Sequence, residues 1–483
     1  MSLPKIELAP GLSISPIVNG LWQIADMERD GKELDLAKAA TAMQKYLDQG
    51  MCSFDMADHY GSAELISGLF REALGNKKAV QLFTKWVPEP GPSSREKVRS
   101  AIERSLKRMK SESLDLLQYH AWNYADPAWL DDLYYLEELK REGLIQHLGL
   151  TNFDAAHLNM VLKSGIEVVS NQVCFSLLDQ RAAGAMSQVC EKHGVKLLAF
   201  GTLAGGFFAE KWLGKTDPGI DNLETWSQMK YRRFIEESGG WDNFQALLKI
   251  LNEIAQNHGY SIPQIASAYI LQQKAVAGVI VGVRLGRDKY LDANKKIAEL
   301  RFTEEDIQKI EAHLSQQRTI PGDCGDEYRK PPFLTASGDL SHHLESFPAP
   351  YEVIEVDGDR SKVLSGTIWE DLAGFSRATK KGNRILISGT TATHGKEVIG
   401  GNDPLAQTQF VIDKIEGAIQ SFGGRLEDVV RTRVYIQNMK DWEVISRVHG
   451  DRFRHIQPAN TLIRADIIGG EYLVEIEAEA VLS

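Results

Sequence analysis

Four ionisable residues stand at or near the ends of three consecutive strand-like runs, CSFDMA, VQLFTKW and LDLLQYH: Asp55, with Tyr60 five residues further on, then Lys85 and His120. An acid, a phenol, an amine and an imidazole brought to one mouth would supply proton donors and acceptors for acid–base catalysis. Each has an ordinary reading by itself. Asp55 could cap a helix or form an ion pair, Tyr60 could pack, Lys85 could be a solvated strand end, and His120 could be a satisfied core residue. In this order and at these positions, the four together are candidates for one catalytic site.

Their placement depends on the elements around them. From about residue 13 to about 315, eight short apolar runs alternate with amphipathic stretches such as DLAKAATAMQKYL, REKVRSAIERSLKRMK and WLDDLYYLEELKREG. Strands alternating with helices of this length predict βαβ units and a parallel sheet. Eight such units predict an α/β (β/α)8 TIM barrel, whose active sites lie at the C-terminal ends of the strands. A doubly wound sheet is the competing arrangement, but no GxGxxG follows the first strand.

Residues 318–350 lose periodicity and gather Pro, Gly and Ser. This is linker composition, although the apolar Phe333 and Leu334 leave open a tail packed over the barrel. His342 and His343 have no partners at metal spacing and read as solvated, so no metal site is expected. Beyond them, RILISGT, VVRTRVYIQ, TLIRADII and YLVEIEAEAV read as strands, while two stretches, from Asp403 and Asp441 onward, read as helices. The pattern is that of a smaller α+β domain, with two helices over one sheet face. The expected organisation is a barrel over 1–318, a linker over 319–350 and a second domain over 351–483.

Composition narrows the classes. The chain has 483 residues, 43% hydrophobic and 25% charged, with 41 Gly and 16 Pro, which excludes collagen-like and low-complexity chains. A formal charge of −11 argues against steering of nucleic acid. No apolar run is long enough for a membrane span. The N-terminus lacks a signal core, so a cytoplasmic location is expected. Cys52, Cys174, Cys190 and Cys324 are scattered and read as buried thiols.

The segments FDMADHYGSAE, LFTKW, LLQYH, LGLTNF, NQVCFS and LLAFGTL resemble the aldo-keto reductase family, across essentially the whole first domain. That resemblance implies a nicotinamide-dependent carbonyl reductase. Tyr60 would then be the general acid, Lys85 the cation that lowers the phenol's pKa, and Asp55 the partner that holds Lys85. His120 would orient and polarise the substrate oxygen. An unperturbed phenol near pKa 10 is a poor catalyst at neutral pH, and a nearby cation favours its charged form. Thr151, Asn152 and Gln172 match the family's carboxamide-binding residues. Phe200 stands where an aromatic ring stacks on the nicotinamide, and Gly201, Thr202 and Leu203 would line the pyrophosphate path. Arg284 and Asn294 resemble residues that hold the adenosine end. With Arg287 and Lys289, Arg284 would suit a 2′-phosphate and favour NADPH, although the same stretch also reads as an exposed basic turn.

Trp22, Trp86 and Trp122, at or just beyond strand ends, suggest a pocket for a flat or apolar substrate; a sugar ring could also stack there. The insertion from 205 to 242 reads as a lid or as a packed decoration.

The pieces ILISGT, LEDVVRTRVYIQNMKDWEVI, QPANT and VEIEAEAV resemble the reactive-intermediate deaminase (Rid, YjgF-like) family, of chorismate-mutase-like fold. That family implies trimers with clefts between subunits and hydrolysis of enamines or imines. Its activity depends on an Arg where this chain has Asn460, which cannot offer a bidentate charged fork. Phe375 replaces a usual Tyr, and Glu475 matches a family glutamate. The reading is an NADPH-dependent reductase of a carbonyl or imine in an apolar small molecule, joined to a degenerate Rid-like domain that oligomerises the chain as a homotrimer or handles an intermediate. A nucleotide-binding regulatory protein with little turnover and a bifunctional reductase–deaminase are the alternatives.

Overall fold

Eight strand–helix repeats, whose strands are buried almost throughout, close the first part of the chain into a barrel. A computed structural model describes residues 3–28, 31–329, 334–335, 339–343 and 346–483. A short antiparallel hairpin, β1 (Ile6–Ala9) and β2 (Leu12–Ile14), comes first. The barrel strands follow: β3 (Ile17–Gly20), β4 (Ser53–Asp55), β5 (Gln81–Trp86), β6 (Leu116–Tyr119), β7 (Leu148–Thr151), β8 (Ser170–Cys174), β9 (Lys196–Phe200) and β10 (Val276–Gly282). All are parallel, and β10 closes on β3. These eight strands coincide with the eight apolar runs of the sequence.

The barrel's N-terminal end is filled rather than open. Leu8, Ala9, Leu12 and Ile14 of the hairpin pack in one cluster with Val18, Phe83, Leu116, Leu198 and Ala277. That cluster fixes the inward-facing parity of β3, β5, β6 and β9. Phe83 points in, so Lys85 does too, and Leu116 and Leu198 set Gln118 and Phe200 inward in the same way. The C-terminal ends of the strands are therefore where polar side chains can converge.

The second part forms a seven-stranded mixed sheet. Its strands are β11 (Val353–Asp357), β12 (Arg360–Val363), β13 (Ala378–Lys381), β14 (Arg384–Thr390), β17 (Val429–Ile436), β18 (Ala459–Arg464) and β19 (Val474–Val481). A two-stranded hairpin, β15 (Thr393–His394) and β16 (Glu397–Val398), stands apart. The order is β11-β12-β13-β14-β19-β17-β18, with β17 and β18 parallel. Helices Pro404–Ser421 and Trp442–Phe453 accompany the sheet. The alternation of β19 is realised as expected: Val474, Ile476, Ala478 and Ala480 are buried, while Glu475, Glu477 and Glu479 are only part-buried.

The helix Pro404–Ser421 is buried round nearly its whole circumference, polar Gln407, Thr408, Asp413 and Lys414 included. Besides the sheet it meets the barrel helix Ala155–Lys163. Gly417 permits a close approach, because a Cβ there would collide with the carbonyl oxygen of Ala125.

The stretch with linker composition does more than join the two parts. It carries the short helices Asp326–Arg329 and Leu340–His343, and Leu334 is buried. Arg329 Nη1 donates to the carbonyl of Asn152 at 2.6 Å. Packing over the barrel mouth, rather than solvation, describes Tyr328 and Arg329, whose side chains meet His120 and Asn152 at the strand ends. Phe333 lies outside the described residues, as do the side chains of His342 and His343. Among the described residues no helix is long and apolar enough to cross a membrane.

Candidate active site

The strand-end tetrad converges. Lys85 and Asp55 are both buried inside the barrel mouth. Lys85 Nζ donates to Asp55 Oδ2 at 2.6 Å and to the carbonyl of Met56 at 2.8 Å. It also lies 5.2 Å from the centroid of the Tyr60 ring. Asp55 Oδ1 accepts from Gln118 Nε2 at 2.9 Å and from Gln172 Nε2 at 2.8 Å. Gln172 Nε2 is also 2.7 Å from Gln118 Oε1. Asp55 thus ties Lys85 to Gln172. Gln118 is a site residue that the sequence reading missed; its inward register beside Lys85 is the signal that marks it.

Electrostatics set the protonation states. Burial, chiefly, and then the carboxylate of Asp55 hold the Tyr60 phenol well above its ordinary value, with Tyr328 and Asp339 adding to the effect and Lys230 opposing it. The resemblance implies a lysine that lowers this phenol, yet here the larger influences run the other way. The Lys85 ammonium is committed to Asp55 and a carbonyl, and its own pKa is lowered by burial against the pull of Asp55. Tyr60 therefore keeps its proton at neutral pH. Burial, with Arg329 nearby, pushes His120 down to about 3, so the imidazole is neutral. Its Nδ1 is 3.5 Å from the Thr151 carbonyl, too long to fix the tautomer. Its Nε2 is buried with no partner among the described residues, which leaves it free to meet a substrate oxygen.

A single cavity of about 900 Å³ opens over these groups, at the upper end of the range for small-molecule sites. Its lining includes all four tetrad residues and every expected cofactor residue: Thr151, Asn152, Gln172, Phe200, Gly201, Thr202, Leu203, Arg284 and Asn294. Asn152 has a positive φ of 60°, and its Oδ1 is buried without a partner among the described residues. That acceptor is suited to an amide N–H, so the residues fit a carboxamide-bearing nicotinamide. Gly201, at φ 82°, is backed by Tyr231, whose Oη would lie 2.5 Å from a Cβ at that position. Arg284 Nη2 already donates to Asp26 Oδ2 at 2.5 Å, so its charge is shared.

Of the three tryptophans, two line the cavity. Trp22 meets Trp226 edge-on at 6.1 Å, and Trp122 stands edge-on to His120 at 4.6 Å. Trp86 does not. It follows Lys85 in β5, so strand parity turns it outward into the helix-packed core against Tyr119, 5.6 Å away. The 205–242 insertion supplies much of the cavity wall, including Gly205, Phe208, Trp226, Ser227, Lys230 and Tyr231. Ser227 Oγ accepts a long 3.5 Å contact from Gln23 Nε2 across the barrel mouth.

In the second domain, two of the three expected cleft residues, Asn460 and Glu475, are not brought together within one chain. Asn460 pairs in register with the buried Thr432 and donates to its Oγ1 at 2.9 Å, on the face covered by His449 of the helix. Glu475 pairs with Tyr435 on the opposite face of the sheet. Phe375 lies near Arg377, at 5.5 Å. The two-residue period separates Asn460 from Glu475.

The description "Aldo/keto reductase family" matches residues 16–315. This chain belongs to the aldo/keto reductase family. Its members are NAD(P)H-dependent oxidoreductases that reduce carbonyls of small molecules. Residues 369–482 match "Endoribonuclease L-PSP", so the second part is a YjgF/L-PSP (Rid) domain. An uncharacterized protein of Streptomyces coelicolor is 37% identical over 120 residues, spanning 25% of this chain and 90% of that one. Aflatoxin B1 aldehyde reductase member 2 of Rattus norvegicus is 27% identical over 252 residues, spanning 49% of this chain and 67% of the rat protein. A glycerol dehydrogenase structure from Gluconobacter oxydans superposes with a TM-score of 0.54 at 22% identity, over 66% of this chain and 97% of its own.

Proposed function

We propose that this aldo/keto reductase uses NADPH to reduce the carbonyl, or an imine, of an apolar small molecule, with Tyr60 as proton donor. The convergence of Tyr60, His120 and the Lys85–Asp55 pair on the wall of one cavity carries the reading. A reduced nicotinamide, once bound, supplies hydride. Thr151, Asn152 and Gln172 would hold its carboxamide, and Phe200 would offer its ring face. Gln172 is held for that task by Asp55 and Gln118.

The chain's own groups do the rest. His120, neutral and unpartnered at Nε2 among the described residues, orients the substrate oxygen by donating to it. Tyr60 holds its proton until charge develops on that oxygen and then releases it. Lys85, fixed by Asp55, stabilises the phenolate left behind. Trp22 and Trp122 give the substrate an apolar bed. Arg284 and Arg287 at the far end of the cavity favour a 2′-phosphate, and therefore NADPH over NADH.

The Rid domain serves in this reading as the assembly scaffold of a homotrimer. Leu386 and Ile463, 49% and 47% exposed, lie on the sheet face opposite the helices, and closed cyclic symmetry is the usual outcome for such a surface. The placement of Asn460 and Glu475 on opposite faces speaks against enamine hydrolysis within one chain. NADPH consumption with aldehydes, ketones and cyclic imines, with ammonia release followed in parallel, tests the assignment. Substrate-dependent NADPH loss without ammonia supports it.

A further inference from the structure

A second lysine–tyrosine pair lies in the same cavity, and the tetrad does not use it. Lys230, on the insertion helix Trp226–Glu237, is buried. Its Nζ donates a hydrogen bond to Tyr328 Oη. The ammonium lies 4.4 Å from the centroid of the Tyr328 ring and 5.9 Å from that of Phe200. Tyr328 comes from the short helix over the barrel mouth, and its ring stands edge-on to His120 at 5.9 Å. Tyr60, His120, Phe200, Lys230 and Tyr328 all line the cavity.

We propose that Tyr328, polarised by Lys230, is a further hydrogen-bond donor of the active site, beside Tyr60 and His120, and selects carbonyl substrates bearing another neutral oxygen on the adjacent carbon. The inference rests on the reductase reading above. An ammonium has no lone pair, so Tyr328 Oη must accept from Lys230. Its own proton then remains to be donated, and a phenol bonded to a cation is the stronger donor. Ring contact with His120 puts this phenol on the tetrad's side of the cavity. A charge on Tyr328 would raise Tyr60 further, which also speaks for two phenols at one reaction centre.

The phenol is held in place from both sides along the chain. Arg329 donates to the carbonyls of Asn152 and Cys324, at 2.6 and 2.7 Å. Glu327 is bound by Arg181 at 2.9 Å. The charge of Lys230 is balanced by Asp339 at 3.7 Å, so the patch suits a hydroxyl or carbonyl oxygen better than a carboxylate. The chemical class is that of α-hydroxy ketones and their dicarbonyl counterparts.

The test compares α-hydroxyacetophenone with propiophenone, which replaces the hydroxyl by a methyl, using the full chain and NADPH. The quantity read is the ratio of the two kcat/KM values in wild type, Tyr328→Phe and Lys230→Met, with thermal melting to show that each variant folds. Intrinsic ketone reactivity cancels between proteins. Loss of a donor to a substrate oxygen should lower the ratio by about tenfold or more in Tyr328→Phe, and in the same direction in Lys230→Met. An unchanged ratio in both variants, with wild type reducing both ketones, overturns this inference and leaves the reductase reading standing. No NADPH-linked reduction of either ketone by wild type overturns this inference, while the aldehyde and cyclic-imine panel above decides the reductase reading separately.

Discussion

His157 of the barrel and Asp413 of the Rid domain are joined by a buried contact of 2.9 Å, from Nε2 to Oδ2. The other ring nitrogen of His157 lies 2.7 and 2.8 Å from the carboxylate of Asp154, which also caps the same helix. Tyr124 stacks on the imidazole at 3.4 Å, and Arg452 pairs with Asp413 and Glu416 from the other side. Arg329 lies over the Tyr124 ring at 4.3 Å. The two domains therefore share a charged, buried junction close in sequence to Asn152.

That junction predicts a pH dependence. Burial works against the charge on His157, but Asp154 and Asp413 outweigh it and hold the imidazole at about 9, against about 6.5 in an unfolded chain. Because the native pKa is raised, the stabilisation is full below about 6.5 and is lost as pH rises through about 9. Asp413→Asn should flatten this loss and lower stability by about 3 kcal/mol at neutral pH, because it removes one partner of a buried charge. Thermal melting across that pH range checks it; parallel profiles for wild type and variant would deny the junction its role.

Cofactor choice depends on the basic end of the cavity. Arg284→Ala should weaken NADPH by about tenfold or more and NADH much less, since a charged hydrogen bond is worth about 1.5–3 kcal/mol. Sharing with Asp26 places the effect toward the low end of that range. Fluorescence titration of both nucleotides decides it, and equal losses would assign the arginine to the Asp26 pair alone.

Assembly is expected from the Rid domain, so the full chain should scatter light as a trimer and a chain ending at residue 350 as a monomer. The shortened barrel loses Asp413 from His157 and the Gln420 acceptor of Asn123, 2.9 Å away. Its Tm should therefore fall while it still binds NADPH. A truncated barrel that remains trimeric would place the interface elsewhere.

The barrel and its tetrad were legible because both obey short periods. Alternating apolar runs fix eight strands, and polar residues at their ends fall at one mouth. Trp86 shows where this reading fails: adjacency to Lys85 in sequence is opposition across the strand. β11 carries VIEVD, part-buried to exposed, and β12 carries RSKV, whose buried residues are Ser361 and Val363, so little apolar alternation marks them. Tyr328 and Lys230 left no signal in spacing. One lies in a stretch of linker composition and the other in an insertion, and only tertiary packing brings them to His120 and Phe200.

The central claim is proton donation by Tyr60 in an NADPH-dependent reduction, and Tyr60→Phe tests it most directly. Steady-state NADPH consumption with a reducible carbonyl, beside NADPH titration, should show kcat falling by about a hundredfold or more. NADPH affinity should stay nearly unchanged, because the phenol faces substrate. A Tyr60→Phe enzyme that keeps most of its kcat would contradict the account.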